Sequence, residues 1–307
     1  MSLDRRALRL LRRSAVLAML FAHGQVAFAH RIVACEPEWA ALAEELGGTM
    51  VAVSSATTGL QDPHRIEARP SLIAKVRNAD LLICTGVGVE EAWLPILLRE
   101  SGNARVQPGQ PGYLIAGDYV EKLDIPTLLD RALGDVHAQG NHHIQGDPRN
   151  MLLVADELAR RLASIDPVHR SYFEARHRSF SERWRAAIGR WEIEAAPLKG
   201  AGIVAHHKAW TYLCRWLGMR EVATLEPKPG LQPTIAHLRA LLTIVQRERA
   251  KFIVRASYNA PRASEWLAAR SGIPSVVLPS TVDGTSDAKD LFALYEVTIQ
   301  RLLNAAK

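Results

Sequence analysis

Histidines are the residues of this chain whose chemistry and spacing point most clearly to a site. Three groups of them lie far apart in the sequence: Asp62-Pro63-His64, Asn141-His142-His143 and His206-His207-Lys208. Neutral imidazole nitrogens are common protein ligands of zinc, copper, iron and nickel. A single histidine on a turn usually has a structural role only, but three groups at comparable places predict a site for a transition-metal ion.

A closed tetrahedral metal site needs a fourth ligand. The segment 279–287 supplies two carboxylates, Asp283 and Asp287. We expect a helix to begin at Ala288, which makes Asp287 a candidate for its N-cap. Asp283 is therefore the better candidate ligand, and Asp287 or a water molecule is the alternative.

The surrounding pattern predicts elements that would bring the histidine groups together. Short apolar runs alternate with amphipathic segments, which favours two α/β lobes with parallel sheets and helices on both faces. Open sheets of this kind bind ligands beyond the carboxyl ends of their strands, where the histidine groups stand. The metal site is thus expected in the cleft between the lobes. The predicted strands are 32–35, 50–54, 81–85, 113–116, 203–206, 252–256 and 275–278.

Helical periodicity replaces this alternation in the middle of the chain. Helices are predicted over 149–164 and about 167–196, and aromatic residues recur every three to four positions in the second. About 30 helical residues would be about 45 Å long, which predicts a rigid connecting rod. The predicted division is a signal peptide (1–29), an N-terminal α/β lobe (30–165), a connecting helix (166–198) and a C-terminal α/β lobe (199–307).

The first 29 residues have the pattern of a secretory signal peptide. Five arginines precede the short apolar run Ala15–Ala22, and Ala27-Phe28-Ala29 fits a cleavage site before His30. This predicts a periplasmic protein, with a retained membrane anchor as the alternative. Cleavage would lower the net charge from +6 to about +2, and no basic cluster with interleaved aromatic residues follows. We therefore expect no nucleic-acid partner.

The three cysteines, Cys35, Cys84 and Cys214, form no Cys-x-x-Cys pair. Their odd number leaves at least one free thiol in an oxidising compartment. Cys35 and Cys84 each end a predicted strand, so a disulfide between them is an alternative. Buried free thiols are the favoured expectation.

Further short motifs follow in a fixed order along the chain. They are Asp62-Pro63-His64 with Glu67 and Pro70-Ser71, Ala79-Asp80-Leu81-Leu82 leading to Gly86, Trp93-Leu94, Asn141-x-His143 with Asp147-Pro148, His207-x-x-Trp210-x-Tyr212-Leu213, and Leu225-Glu226-Pro227-x-Pro229-Gly230. In this order they resemble the periplasmic substrate-binding proteins of zinc and manganese ABC importers. The resemblance covers nearly the whole mature chain.

The resemblance also selects among neighbouring histidines. The family motif looks like Asn-Pro-His followed four residues later by Asp-Pro, and only His143 keeps that distance. His142 takes the place of the usual proline, as a neighbour or alternate ligand. The family histidine three residues before the tryptophan corresponds to His207, which leaves His206 with a structural role. His137 is a candidate for an accessory contact.

The resemblance implies capture of Zn²⁺ and its delivery to the membrane permease of an ABC importer. The expected ligands are His64, His143, His207 and Asp283, because three imidazoles and one carboxylate fit zinc best. Manganese or another divalent ion is the alternative cargo. A monomer, with a periplasmic metallochaperone as a further partner, is expected. A zinc hydrolase is the alternative from another class, but no His-Glu-x-x-His or Gly-x-Ser-x-Gly motif occurs.

Overall fold

The computed structural model describes residues 29–127 and 137–307. The signal peptide predicted over 1–29 lies, apart from Ala29, outside the described residues and stays a prediction. Within the described ranges, no helix has both the length and the apolar character needed to cross a bilayer.

The first lobe is a four-stranded parallel sheet in the order β2-β1-β3-β4. Its central strand β3 is buried at every residue, as its uninterrupted apolar sequence Leu-Leu-Ile-Cys predicts. The chain order reverses beside β1, and in such sheets this switch point forms the ligand crevice. The elements are β1 (His30–Ala34), α1 (Pro37–Gly47), β2 (Val51–Ser55), α2 (Pro70–Arg77), β3 (Leu81–Cys84), α3 (Leu94–Ser101) and β4 (Tyr113–Ile115).

The second lobe repeats this topology, with parallel strands in the order β6-β5-β7-β8. The predicted fold class, two doubly wound α/β lobes, is therefore confirmed. The edge strand β6 was not among the predicted strands. The elements are β5 (Gly202–Ala205), α6 (Thr211–Leu217), β6 (Arg220–Thr224), α7 (Ile235–Glu248), β7 (Ala250–Ala256), α8 (Arg262–Ser271), β8 (Ser275–Leu278) and α9 (Leu291–Ala305).

The helix α4 (Pro148–Ile165) packs on α1 of the first lobe. After a 3₁₀ turn at Pro167–His169, the helix α5 (Arg170–Glu194) connects the lobes. The predicted rod is thus one turn shorter at its start, because Asp166 caps that turn by accepting a hydrogen bond from the backbone of His169. The 25 residues of α5 span about 38 Å.

The aromatic stripe of α5 packs against the last helix, α9. Trp184 and Trp191 are at most 1% exposed. Trp184 meets Tyr295 of α9 edge-on with 5.4 Å between ring centroids, and Trp191 stacks on it at 5.2 Å. These rings belong to one buried cluster that also contains side chains of both sheets, such as Ile32 and Ile203. Any large hinge motion between the lobes would have to disrupt this shared core.

A disulfide joins Cys35 and Cys84, so the expectation of free thiols is wrong for this pair. The strands β1 and β3 are direct neighbours, and Ala34 pairs with Ile83. This register brings the two cysteine Cα atoms to 4.7 Å, within the range that a disulfide bridges. Cys214 is free and buried.

Candidate metal centre

A short turn after β2 fixes the first histidine. Asp62 caps the 3₁₀ turn Pro63–Arg65 and accepts hydrogen bonds from the backbone N–H of His64 at 3.0 Å and from its Nδ1 at 2.8 Å. Burial opposes ionisation of Asp62, but these bonds from His64 outweigh it and lower the pKa of the carboxyl. Because the carboxylate can only accept, Nδ1 carries the proton and Nε2 keeps its lone pair for a ligand.

The second lobe presents His207 in the same way. His207 follows β5, and its Nδ1 donates to Oε2 of Glu226, which follows β6, at 2.7 Å. Such a carboxylate–histidine pair fixes the ring and its tautomer in metal sites. The adjacent His206 is buried at the end of β5 and lies 4.0 Å from the other oxygen of Glu226.

The loop that carries His142 and His143 is tied to both lobes. The side-chain oxygen of Asn141 accepts from the backbone N–H of His143 at 3.0 Å, and its nitrogen donates to the carbonyl of Lys208 at 2.9 Å. The hydroxyl of Tyr212 donates to the carbonyl of Asn141 at 2.9 Å. These contacts explain why asparagine and tyrosine accompany the histidines in the motifs.

The rings of His142 and His143 are buried without satisfying all their nitrogens. They are only 5% and 6% exposed, and among the described residues both nitrogens of His142 and Nε2 of His143 have no hydrogen-bond partner. Burial, together with neighbouring imidazoles, lowers the pKa of both rings well below the usual value, so both are neutral at neutral pH. Unpaired buried polar atoms cost free energy, and binding of a cation would remove that cost.

Three of the four predicted ligands come together between the lobes. His64, His143 and His207 line one cavity of about 400 Å³, together with the carboxylates of Asp62 and Glu226. The ring centroids of His143 and His207 lie 5.6 Å apart. The cavity contains nitrogen donors from both lobes, as a site in the interlobe cleft requires.

The fourth predicted ligand, Asp283, is not brought to these histidines. It lines a separate cavity with Lys289, and its backbone packs against Gly59, where a Cβ atom would lie 2.4 Å from the Asp283 carbonyl carbon. Asp287 is also displaced from its predicted N-cap role: it pairs with Arg301 at 2.8 Å.

The final helix begins later than the sequence pattern suggests. The α9 helix starts at Leu291 rather than Ala288, and Asp290 caps it by accepting a hydrogen bond from the backbone N–H of Ala293 at 2.8 Å. Three aspartates precede this helix, and sequence spacing alone does not tell which of them caps it.

Sequence reasoning missed three buried glutamates, two of which lie beside the histidines. Glu36, Glu38 and Glu90 are buried, and Glu36 and Glu38 line a small cavity of about 30 Å³ together with His142 and His143. Burial raises the pKa of Glu38 and of Glu90 from the usual 4.5 to about 7. The available signal was their position beyond the carboxyl ends of strands: Glu36 and Glu38 closely follow β1, and Glu90 lies in the segment between β3 and α3.

Glu90→Gln is expected to reduce the loss of stability of the metal-free protein at high pH. The pKa of Glu90 is about 7 in the folded protein and near 4.5 in the unfolded chain. Its carboxyl therefore contributes fully to stability below pH 4.5, and this contribution is lost as the pH rises through about 7. Glutamine stays neutral and retains an acceptor for the Gly86 N–H, which lies 2.9 Å from the carboxylate. At pH 8 the variant should exceed wild type by up to roughly 3 kcal/mol, measured by urea unfolding.

The exposed neighbour Glu91 provides the matched control for this prediction. Glu91→Gln should leave the pH dependence of the unfolding free energy unchanged. An identical slope from pH 5 to pH 8 in Glu90→Gln and wild type would contradict the role of Glu90.

The chain is similar to known metal-transport proteins. Residues 32–305 match the family described as zinc-uptake complex component A, periplasmic (ZnuA). The high-affinity zinc uptake system protein ZnuA of Bacillus subtilis is 23% identical over 229 residues, which cover 73% of this chain and 70% of that protein. The manganese ABC transporter substrate-binding lipoprotein PsaA of Streptococcus pneumoniae is 21% identical over 253 residues, 80% of this chain and 77% of that protein.

The fold is also similar to that of a solved structure. A crystal structure of ZnuA superposes with a TM-score of 0.76 at 22% sequence identity, and the match covers 91% of this chain and 100% of that chain. At this identity the likeness shows the two-lobed fold. The relatives are named for different metals, so their names do not identify the ion that this chain binds.

Proposed function

Since the chain belongs to the zinc-uptake complex component A family, we propose that it captures Zn²⁺ outside the cytoplasm and delivers it to the permease of an ABC importer. Family membership makes it a metal-binding substrate-binding protein of an ABC transporter. The choice of zinc rests on one observation above all: histidines from both lobes converge on one cavity, and carboxylates orient two of them.

The proposed ligands are His64, His143 and His207. The first and third present Nε2 because their Nδ1 atoms are held by Asp62 and Glu226, and the second has a buried Nε2 without a partner among the described residues. Of the fourth ligands that the sequence offered, water remains, because Asp283 lines a separate cavity and Asp287 pairs with Arg301. The metal ion would bridge the lobes, and the transporter would recognise the ordered rim of the loaded cleft.

Zinc is expected to bind at least about 100-fold more tightly than manganese, because imidazole donors favour zinc and carboxylate oxygens suit manganese. Chelator-treated protein, titrated with each ion in competition with a chromophoric chelator, measures both affinities. His207→Glu replaces an imidazole by a carboxylate and should reduce the difference between the zinc and manganese affinities.

A control for the selectivity prediction is His237→Gln. His237 donates from Nε2 to the carbonyl of Thr224 at 3.0 Å and lies on α7. Its replacement should leave both affinities unchanged. Equal affinities for the two ions in wild type, or tighter binding of manganese, would contradict the assignment of zinc.

The remaining parts of the proposal concern location and partners. Relatives are named as lipoproteins or periplasmic proteins, which supports an extracytoplasmic location, and the disulfide suits an oxidising compartment. Cleavage before His30, a monomeric state and loading by a metallochaperone are further proposals. We also propose that the chain is not an enzyme, in keeping with relatives that are named for transport.

A further inference from the structure

Two histidines beside the proposed site have no role in it. His142 is 5% exposed, and neither of its ring nitrogens has a partner among the described residues. His137 places its Nε2 3.1 Å from Nε2 of His64 and its ring edge-on to that of His142, with 4.7 Å between centroids. The ring of His142 is also edge-on to that of His64, with 4.7 Å between centroids, so both rings contact the same imidazole.

These three rings form the closest group of histidine nitrogens in the described part of the chain. One ring nitrogen each from His64, His137 and His142 lies within 4.8 Å of the other two. Nitrogen ligands about 2.1 Å from a tetrahedral zinc ion lie about 3.4 Å from one another. Small side-chain rotations would therefore suffice to bring all three nitrogens onto one ion.

We propose that His64, His137 and His142 form a second position for a zinc-like divalent cation, next to the proposed site and sharing His64 with it. This inference depends on the proposed function only through the shared ligand. It assigns a ligand role to a histidine that stands where the related motif has proline, and to a second histidine 73 residues from His64 in the sequence.

Sharing His64 makes the two positions alternatives. Asp62 holds Nδ1 of His64, so only Nε2 of this ring is available, and one nitrogen lone pair binds one ion. The protein would then bind one zinc ion per chain in either of two arrangements. The rings of His142 and His143 are 4.0 Å apart, so an ion could pass between the arrangements while it stays on His64.

The test compares two double variants in chelator-treated protein. One, His143→Gln/His207→Gln, removes the ligands specific to the proposed site. The other, His137→Gln/His142→Gln, removes those specific to the second position. Zinc stoichiometry and affinity are measured by chelator competition, and Co²⁺ absorption reports the coordination. His237→Gln is the matched control outside the cluster.

The expected result is one zinc per chain in each double variant, with affinity lowered about 100-fold in the first, and a different Co²⁺ spectrum in each. The quadruple variant should bind no zinc. If the first double variant binds no more than the quadruple variant, the second position is overturned while the proposed site stands. If the first double variant binds zinc as tightly as wild type and the second double variant loses zinc, the proposed ligand set is wrong. The proposal of two alternative positions is then overturned as well.

A measurement on the wild-type protein covers the case in which a variant does not fold, as judged by circular dichroism. Zinc-saturated protein is studied by relaxation-dispersion NMR of the imidazole nitrogens, which detects a minor state populated to about 1%. Exchange at both His137 and His142 that is absent from the metal-free protein supports the second position. Absence of such exchange from both rings overturns it.

Discussion

Replacing His143 with alanine is expected to weaken zinc binding by about 100-fold or more. Four-ligand zinc sites bind with roughly 10–16 kcal/mol, so one ligand contributes about 3 kcal/mol, which corresponds to about 100-fold in affinity. The ring of His143 is buried, and its Nε2 has no partner among the described residues, so its main interaction would be with the ion. Competition titration of purified protein with zinc and a chromophoric chelator measures the loss.

The adjacent residue supplies the comparison for this prediction. His142→Ala should leave the tighter affinity close to that of wild type, because His142 belongs to the second position only. His206→Ala, which removes another buried histidine, should behave in the same way. Equal losses in His143→Ala and His142→Ala would contradict the choice of His143 as the ligand of the tighter site.

Removal of the disulfide by Cys35→Ala/Cys84→Ala is expected to lower the free energy of unfolding by about 4 kcal/mol. The bridge closes a loop with a sequence separation of 49, and the chain-entropy relation gives this value for a loop of that length. The melting temperature of the metal-free protein should fall by about 10 °C. Metal-free protein is needed because bound zinc would itself raise the melting temperature.

A thiol reductant provides the control for the disulfide prediction. Wild type unfolded and refolded in reductant should melt at the temperature of the double variant. The double variant itself should not respond to reductant, because Cys214 has no partner to lose. If wild type melts at the same temperature with and without reductant, and the double variant matches it, the bridge does not stabilise the fold.

The two lobes, and the approach of His64, His143 and His207 to one cavity, could be predicted from the sequence because both follow from local rules. Apolar runs alternate with helical patterns, and the carboxyl ends of parallel strands meet at one sheet edge. His64 and His207 each follow a strand in this way. The β6 strand was missed because it lies at the edge of its sheet. Its sequence Arg220–Thr224 begins with two charged residues and has no buried apolar run.

The rest of the site depends on which strands become neighbours and how loops return to the cleft. Cys35 and Cys84 pair because β1 lies beside β3, an order that local patterns leave undetermined. Asp283 belongs to a loop that folds towards Gly59 instead of the histidines. The convergence of His137 and His142 on His64 likewise arises from tertiary contacts between segments far apart in sequence.

The shared aromatic core around Trp184, Trp191 and Tyr295 has a consequence for the kinetics of transport. Domain closure takes microseconds to milliseconds. Because this core holds the lobes together, metal capture should not require such a closure. We therefore expect the capture rate to be set by diffusion and by loss of water from the ion. Release of the ion would instead require the loops that carry the histidines to move away from it. The permease would then determine the direction of transport, because docking to it would cause the release of the ion.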